Sequence, residues 1–320
     1  MPRSILFLSK NILNQLPLTT QDIVESIEHL LLKKNCSQVW NAPKSVITPP
    51  DGRYMMATLS AANDPQILAV KTLLLNPKNS HRGLQSIYAL VTLLDSDTGV
   101  PLAVLDGAWV TAERTAGLSA VAAKRLAKAD SSIAAFIGCG VQAHSHLKIF
   151  TDLFPLTEIR AFGRGAENRN KLCQYAKELG LRATKCVTAQ DAISNADIIV
   201  TSVTISPELQ PFIDAGWLKP GAFVTMTDLA APWYVESLSV FDRIVIDDLE
   251  HEASMSKPLV PPKLVSGDLT GLVNGKIAGR TRVETRTAFI FRGLALGDLA
   301  VSALAYQCAY DNSMGQPVEL

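Results

Sequence analysis

The spacing of apolar and polar residues changes along this chain, and each change predicts a different kind of element. After Leu18-Thr19-Thr20-Gln21-Asp22, apolar residues recur at Ile23, Ile27, Leu30 and Leu31, the spacing of one buried helical face behind a polar start. Beyond the breaks at Pro43 and Pro49-Pro50 the pattern turns to strand-length runs at Tyr54 to Ala61, Ile67 to Leu75, Ile87 to Leu94 and Leu102 to Leu105, the last preceded by the turn Asp95-Ser96-Asp97-Thr98-Gly99. Such runs predict a mainly antiparallel sheet. Thr111-Ala112-Glu113-Arg114-Thr115 then opens a helix whose small residues Ala116, Gly117, Ala120 and Ala123 allow a close neighbour.

From Ser131 onward short apolar runs alternate with helical stretches. Ile133 to Ile137, Glu158 to Phe162, Ala183 to Val187, Asp197 to Val203, Ala222 to Thr227 and Arg243 to Asp247 read as strands, with helices at Asn170 to Leu179 and Ala189 to Ser194 among the crossovers. Six strands with helical crossovers predict an α/β doubly wound parallel sheet of the Rossmann type. A final apolar stretch, Thr287 to Tyr310, reads as one helix returning to the first region. The expected division is 1–115 with 300–320 as a discontinuous α+β substrate-binding and dimerisation domain, and 116–299 as the nucleotide-binding domain.

The chemistry concentrates at a few positions. Gly138-Cys139-Gly140-Val141-Gln142-Ala143 follows a strand and opens a helix in the G-x-G-x-x-A pattern of dinucleotide sites. Gly138 permits the tight turn, Gly140 lets backbone approach a pyrophosphate, and Ala143 allows close helix packing. The helix start at Val141 and Gln142 offers N–H groups to phosphate. The second strand ends Phe162-Gly163-Arg164-Gly165, without the acid that takes ribose hydroxyls in NAD sites, so Arg164, with Asn168 or Arg169, suits a 2′-phosphate. Ser202, in the fourth strand, is assigned to the cofactor as well.

Lys71 lies in the apolar run Leu68 to Leu75, and is either an edge-strand lysine on a wet face or a ligand-binding or catalytic group. Arg114, in the first turn of its helix, opposes the helix dipole and needs an anion, either Glu113 or a ligand carboxylate. Asp228 ends the fifth strand, facing the ligand crevice or starting a turn before Ala230-Ala231-Pro232. His144 and His146, two apart on a helix, make a poor metal pair and read as ordinary helix residues.

Composition narrows the partner. Thirty basic and thirty acidic residues cancel in 320, so no net field draws the chain to nucleic acid or an anionic membrane, and a small molecule is expected. Cys36, Cys139, Cys173, Cys186 and Cys308 show no disulfide or metal spacing and fit reduced thiols in a cytoplasm. In the start MPRSILFLSK, Ser9 and Lys10 end the apolar run before a secretory segment is complete.

The order of these motifs resembles the ornithine cyclodeaminase/mu-crystallin family. It covers Val70-Lys71, Glu113-Arg114-Thr115-Ala116, the glycine turn at 138 to 143, Pro220-Gly221, Asp228, Val245-Ile246-Asp247-Asp248, and Gly267-Asp268-Leu269 through Gly275-Lys276 to Gly279-Arg280. The resemblance implies that Lys71 and Arg114 hold a substrate carboxylate, that Lys71 also stands near the reacting nitrogen, and that Asp228 is the catalytic acid/base. Thr115, Gln142 and Ala143 would touch the cofactor. Lys44 replaces a further carboxylate-binding arginine, which loses the bidentate fork. Phe291-Arg292-Gly293 departs from the usual pattern, so Arg292 is expected to reshape the substrate pocket, while Asp298 keeps the family's acid and is assigned to the cofactor side.

The activity implied is NADPH-dependent reduction of a cyclic α-imino acid, Δ1-pyrroline-2-carboxylate or its six-membered homologue, by a homodimer, with NADH as the second cofactor. Ornithine cyclodeaminase, an alanine or other amino-acid dehydrogenase, and a non-catalytic binding protein are the alternatives.

Overall fold

A computed structural model describes residues 4–206 and 208–319. Met1 to Arg3, the start of the segment weighed as a leader, lie outside them. In chain order the first elements are β1 (Ser4–Leu8), α1 (Lys10–Leu13), α2 (Thr20–Lys34), β2 (Val39–Asn41), β3 (Ser45–Ile47), β4 (Tyr54–Asn63), β5 (Gln66–Leu75), β6 (Ile87–Asp95), β7 (Pro101–Asp106) and α3 (Gly107–Leu126). They are followed by β8 (Ile133–Ile137), α4 (Val141–Leu153), β9 (Glu158–Phe162), α5 (Ala166–Glu178), β10 (Arg182–Lys185), α6 (Ala189–Ile193), β11 (Ile198–Thr201), β12 (Phe223–Met226) and β13 (Arg243–Ile246). The last are α7 (Leu249–Ala253), β14 (Val265–Asp268), α8 (Leu269–Val273), β15 (Thr287–Ile290), α9 (Ala295–Asp311) and β16 (Gln316–Glu319). The chain divides into two compact units, Met1–Arg114 with Ala295–Leu320, and Thr115–Leu294.

The first unit is a sheet in the order β16-β1-β7-β6-β5-β4-β2, with β3 also on β4. The pairs are antiparallel except β1 with β7. Period-two alternation puts Thr58, Ser60 and Ala62 of β4, Ile67, Ala69 and Lys71 of β5, and Val91 and Leu93 of β6 on one buried face. α9 packs on that face and α2 packs on α9. Almost every residue of the first three turns of α9 is buried, as a helix between a sheet and a second helix requires. α2 starts at Thr19, whose hydroxyl accepts the Asp22 N–H while the Asp22 carboxylate accepts the Thr19 N–H. On the opposite face Trp40, Ile47, Leu59, Tyr88 and Leu90 stay exposed.

This topology overturns the edge-strand reading of Lys71. β5 pairs with β4 on one side and β6 on the other, and Lys71 is 1% exposed. An ammonium there needs a counter-ion, because burial without one costs several kcal/mol, on the order of the penalty for a desolvated ion.

The second unit is an all-parallel sheet in the order β10-β9-β8-β11-β12-β15-β13-β14. The strand order reverses between β8 and β11, the switch point where such sheets bind ligands at their carboxyl ends. One expectation fails here. Thr287–Ile290 is a strand and not the start of the last helix, which begins only at Ala295. Arg243–Ile246 therefore lies outside β15 and does not adjoin β12. The cause is full burial: all four residues of β15 are covered, so the run shows no alternation to separate strand from helix. Gly293, with φ +97°, then breaks the chain direction before α9. As a consequence Asp298 belongs to the first unit.

Candidate active site

In the second unit the glycine turn has the shape its residues predicted. Gly138 has φ +92°, and a Cβ there would stand 2.5 Å from the Ser202 carbonyl oxygen, so β8 and β11 come together only because Gly138 lacks one. Ser202 donates its N–H to Ile137 O across the switch point. A Cβ on Gly140 would meet nothing within 4 Å, which leaves an open approach to the start of α4. Gly140 is the N-cap and supplies no side-chain acceptor, so the first N–H groups of α4 face outward for an anion. Ala143 is fully buried under the helix and Val141 is exposed at its tip. Gln142 Oε1 is buried without a hydrogen-bond partner.

Beside the turn lies a cavity of about 510 Å3 whose lining includes Gly138, Gly140, Arg164, Asn168 and Ser202. Arg169 points inward instead, donating to the Gly163 carbonyl at 3.3 Å. Arg164 and Asn168 are exposed at the mouth. The cradle at Gly140, the uncapped helix and the orphaned amide oxygen fit the pyrophosphate of a dinucleotide. The Cys139 thiol within the turn is pushed up to about 11 by burial and stays protonated.

In the first unit the structure brings together Lys71, Arg114 and Asp298. Lys71 Nζ donates to Asp298 Oδ1 at 3.0 Å, and Arg114 Nε stands 3.1 Å from the same oxygen. Thr58, directly opposite Lys71 in the β4–β5 register, has its hydroxyl 3.5 Å from Oδ2. Asp298 is thus the anion in front of Arg114, and the cofactor assignment of Asp298 gives way to this one. Its carboxyl is held below the ordinary range, since Lys71, Arg114 and Lys44 outweigh the cost of burial. Burial and the neighbouring Arg114 push the Lys71 ammonium down to about 8, against the pull of Asp298. One carboxylate faces two buried cations, and Arg114 Nη1 is buried without a hydrogen-bond partner. That surplus makes a seat for a second carboxylate, brought by a ligand.

Asp228, in the second unit, is 2% exposed and has both oxygens engaged: Oδ1 accepts from the Thr201 hydroxyl at 2.9 Å and Oδ2 from the Val203 N–H at 3.1 Å. Burial raises it to about 6. After it, Leu229 and Ala230 both sit in the left-handed region, at φ +58° and +57°. Arg292 itself lines a cavity, with its charge met by protein groups. Its guanidinium is bound at 2.7 Å to Glu252 and also to the Lys257 carbonyl, and Glu252 in turn accepts the Leu259 N–H. It pins the segment 257–259 as one wall of a 730 Å3 cavity that also borders Leu229, Ala230 and Trp233.

His146 was read as an ordinary helix residue, yet it is fully buried and hydrogen-bonded at both ring nitrogens. The signal was present in the spacing Gln142, His146, Phe150, which puts the imidazole on the apolar face. Thr58 had no signal beyond its register opposite Lys71.

The sequence matches the ornithine cyclodeaminase/mu-crystallin family over residues 10–313. The chain belongs to that family. The ketimine reductase mu-crystallin of Rattus norvegicus is 32% identical over 256 residues, covering 79% of each chain. The Thermococcus litoralis Δ1-pyrroline-2-carboxylate reductase, solved with NADH and L-proline, superposes with a TM-score of 0.89 at 27% identity over 98% of this chain and 100% of that one. An archaeal alanine dehydrogenase dimer with bound NAD superposes at 0.87 with 26% identity over 99% and 100%. Family membership makes the fold that of NAD-binding oxidoreductases acting on imines and amino acids. No helix among the described residues is long and apolar enough to cross a membrane.

Proposed function

We propose that this protein reduces a cyclic α-imino acid, Δ1-pyrroline-2-carboxylate and its six-membered homologue Δ1-piperideine-2-carboxylate, to L-proline and L-pipecolate with NADPH. The observation that carries the reading is the buried excess of cations around Asp298, with Arg114 Nη1 left for a ligand carboxylate. The likeness to a reductase holding L-proline supports the ring substrate.

Arg114 and Lys71 hold the carboxylate and exclude water from it, fixing the imine for a near-attack arrangement. Asp298 holds Lys71, and the Thr58 hydroxyl in turn donates to Asp298. The cofactor's contribution is one hydride, delivered to C2. Lys71, its ammonium brought down to about 8, is the group that would give the ring nitrogen its proton near neutral pH. Asp228, enclosed with both oxygens accepting hydrogen bonds, is assigned to support the ends of β11 and β12, and the proton is assigned to Lys71. Arg164 supplies the 2′-phosphate contact and the preference for NADPH, with NADH the weaker cofactor.

The proposed assembly is a homodimer through the open sheet face. Trp40, Ile47, Leu59, Tyr88 and Leu90 form an exposed apolar set on one side of a sheet, the kind of surface a second copy covers. A homodimer is supported by the dimeric archaeal alanine dehydrogenase, and this face is the surface proposed for it.

The test is oxidation of NADPH and NADH at 340 nm with the two ring imines and with pyruvate plus ammonia, alongside ammonia release from ornithine with NAD. NADPH with a ring imine should be fastest. Faster ammonia release from ornithine would replace this reading with a cyclodeaminase, and faster turnover of pyruvate with ammonia would make the chain an alanine dehydrogenase.

A further inference from the structure

A buried chain of hydrogen bonds in the second unit has no part in the chemistry above. His146 on α4, Ser119 on α3 and Thr225 on β12 are all fully buried. His146 Nδ1 lies 2.7 Å from the Gln142 carbonyl oxygen, an acceptor only, so Nδ1 carries the proton. Nε2 must then accept, and Ser119 Oγ, 2.8 Å away, donates to it. The Ser119 hydroxyl has now spent its proton, so it accepts from Thr225 Oγ1 at 2.8 Å. The three distances allow one direction of donation, Thr225 to Ser119 to His146 to Gln142. The Phe150 ring meets the imidazole edge at 5.8 Å, and burial lowers His146 to about 4, so the ring stays neutral through the working range.

The receiving end of this chain is the point of interest. Gln142 is the second residue of α4, in the turn whose free N–H groups follow Gly140, and its own Oε1 is buried without a partner. We infer that His146 is a positioning residue of the dinucleotide site: anchored through Ser119 and Thr225 to α3 and β12, it fixes the Gln142 backbone and with it the first turn of α4 that receives the pyrophosphate. A helix start that must present several N–H groups at once to one anion loses affinity when that turn can rotate, and His146 is the side chain that ties it to its neighbours. This inference rests on the dinucleotide reading of the second unit.

The test uses the full chain. NADPH and NADH binding is followed by nicotinamide fluorescence, and steady-state rates give separate KM values for cofactor and Δ1-pyrroline-2-carboxylate. His146→Leu should weaken NADPH binding at least tenfold and raise the cofactor KM to match, with the imino acid KM within about twofold of the parent. His146→Asn puts a donor where Nδ1 stood and should recover most of the cofactor affinity while leaving Ser119 unmet. A role in stability alone would lower Tm in both variants and leave cofactor binding untouched, and that pattern overturns the inference. Should His146→Leu not fold, 15N spectra of the parent decide: an Nδ1–H tautomer whose ring signals move on adding NADPH supports positioning, and an Nε2–H tautomer or unmoved signals refute it. Failure of the parent to bind either nicotinamide cofactor would instead remove the dinucleotide reading itself.

Discussion

Asp228→Asn tests the electrostatics of the second unit most directly. The parent carboxyl is enclosed, and burial raises it from 3.8 to about 6 despite the Thr201 hydroxyl and the Val203 N–H. Between those two values the folded chain binds more protons at this site than the unfolded chain, so its contribution to stability falls as pH rises. The contribution is complete below about 4 and lost above about 6. A difference of roughly 2 units at about 1.4 kcal/mol each amounts to some 3 kcal/mol, an upper figure. Asparagine is neutral throughout, and can accept from the Val203 N–H with its oxygen while donating to Thr201 Oγ1. The unfolding free energy of the variant minus that of the parent should therefore rise by up to about 3 kcal/mol between pH 4 and pH 7.5. Urea melts at four pH values across that range measure it, and the difference cancels the slopes of Asp197, Asp298 and His146, which both proteins share. A difference constant with pH would refute the argument. Because Asp228 is placed as a support, turnover in the variant should stay within about tenfold of the parent, whereas a loss of a hundredfold with one limb of the pH–rate profile erased would restore it as the acid/base.

Lys71→Ala and Arg114→Ala should each cost at least about 2 kcal/mol in kcat/KM for the imino acid, with NADPH binding retained; full activity in either would remove it from the seat. In the parent, kcat/KM should fall as pH rises through about 8, where Lys71 loses its proton, and Asp298→Asn should move that limb to lower pH because the carboxylate favours the ammonium. An unmoved limb would separate Lys71 from proton transfer. Arg164→Ala should weaken NADPH far more than NADH in kcat/KM, and equal losses would count against a phosphate contact. Leu59→Glu with Leu90→Glu should give a monomer by light scattering while each chain stays folded, and an unchanged mass would place any assembly elsewhere.

What the chain order alone decided was local. The run Ile133 to Ile137 ending in Gly138-Cys139-Gly140 determines a strand, a left-handed turn and a helix start, because only glycine tolerates φ +92° and the close Ser202 carbonyl there. Alternation along β4, β5 and β6 was legible for the same reason: one covered face leaves a period of two. Tertiary structure decided whatever depended on distant partners. Thr287–Ile290 is apolar at every position, so its pattern is equally that of a buried helix, and only pairing with β12 and β13 makes it a strand. Lys71 could have stood at a wet edge until β6 closed its other side, and Asp298 had no assigned counter-ion until α9 lay across the sheet, 227 residues away in sequence from Lys71. Arg292 and His146 show the same limit. Their side-chain chemistry was evident in the sequence, but whether a guanidinium meets Glu252 or a ligand, and whether an imidazole faces water or Ser119, is set by packing between elements that share no local pattern.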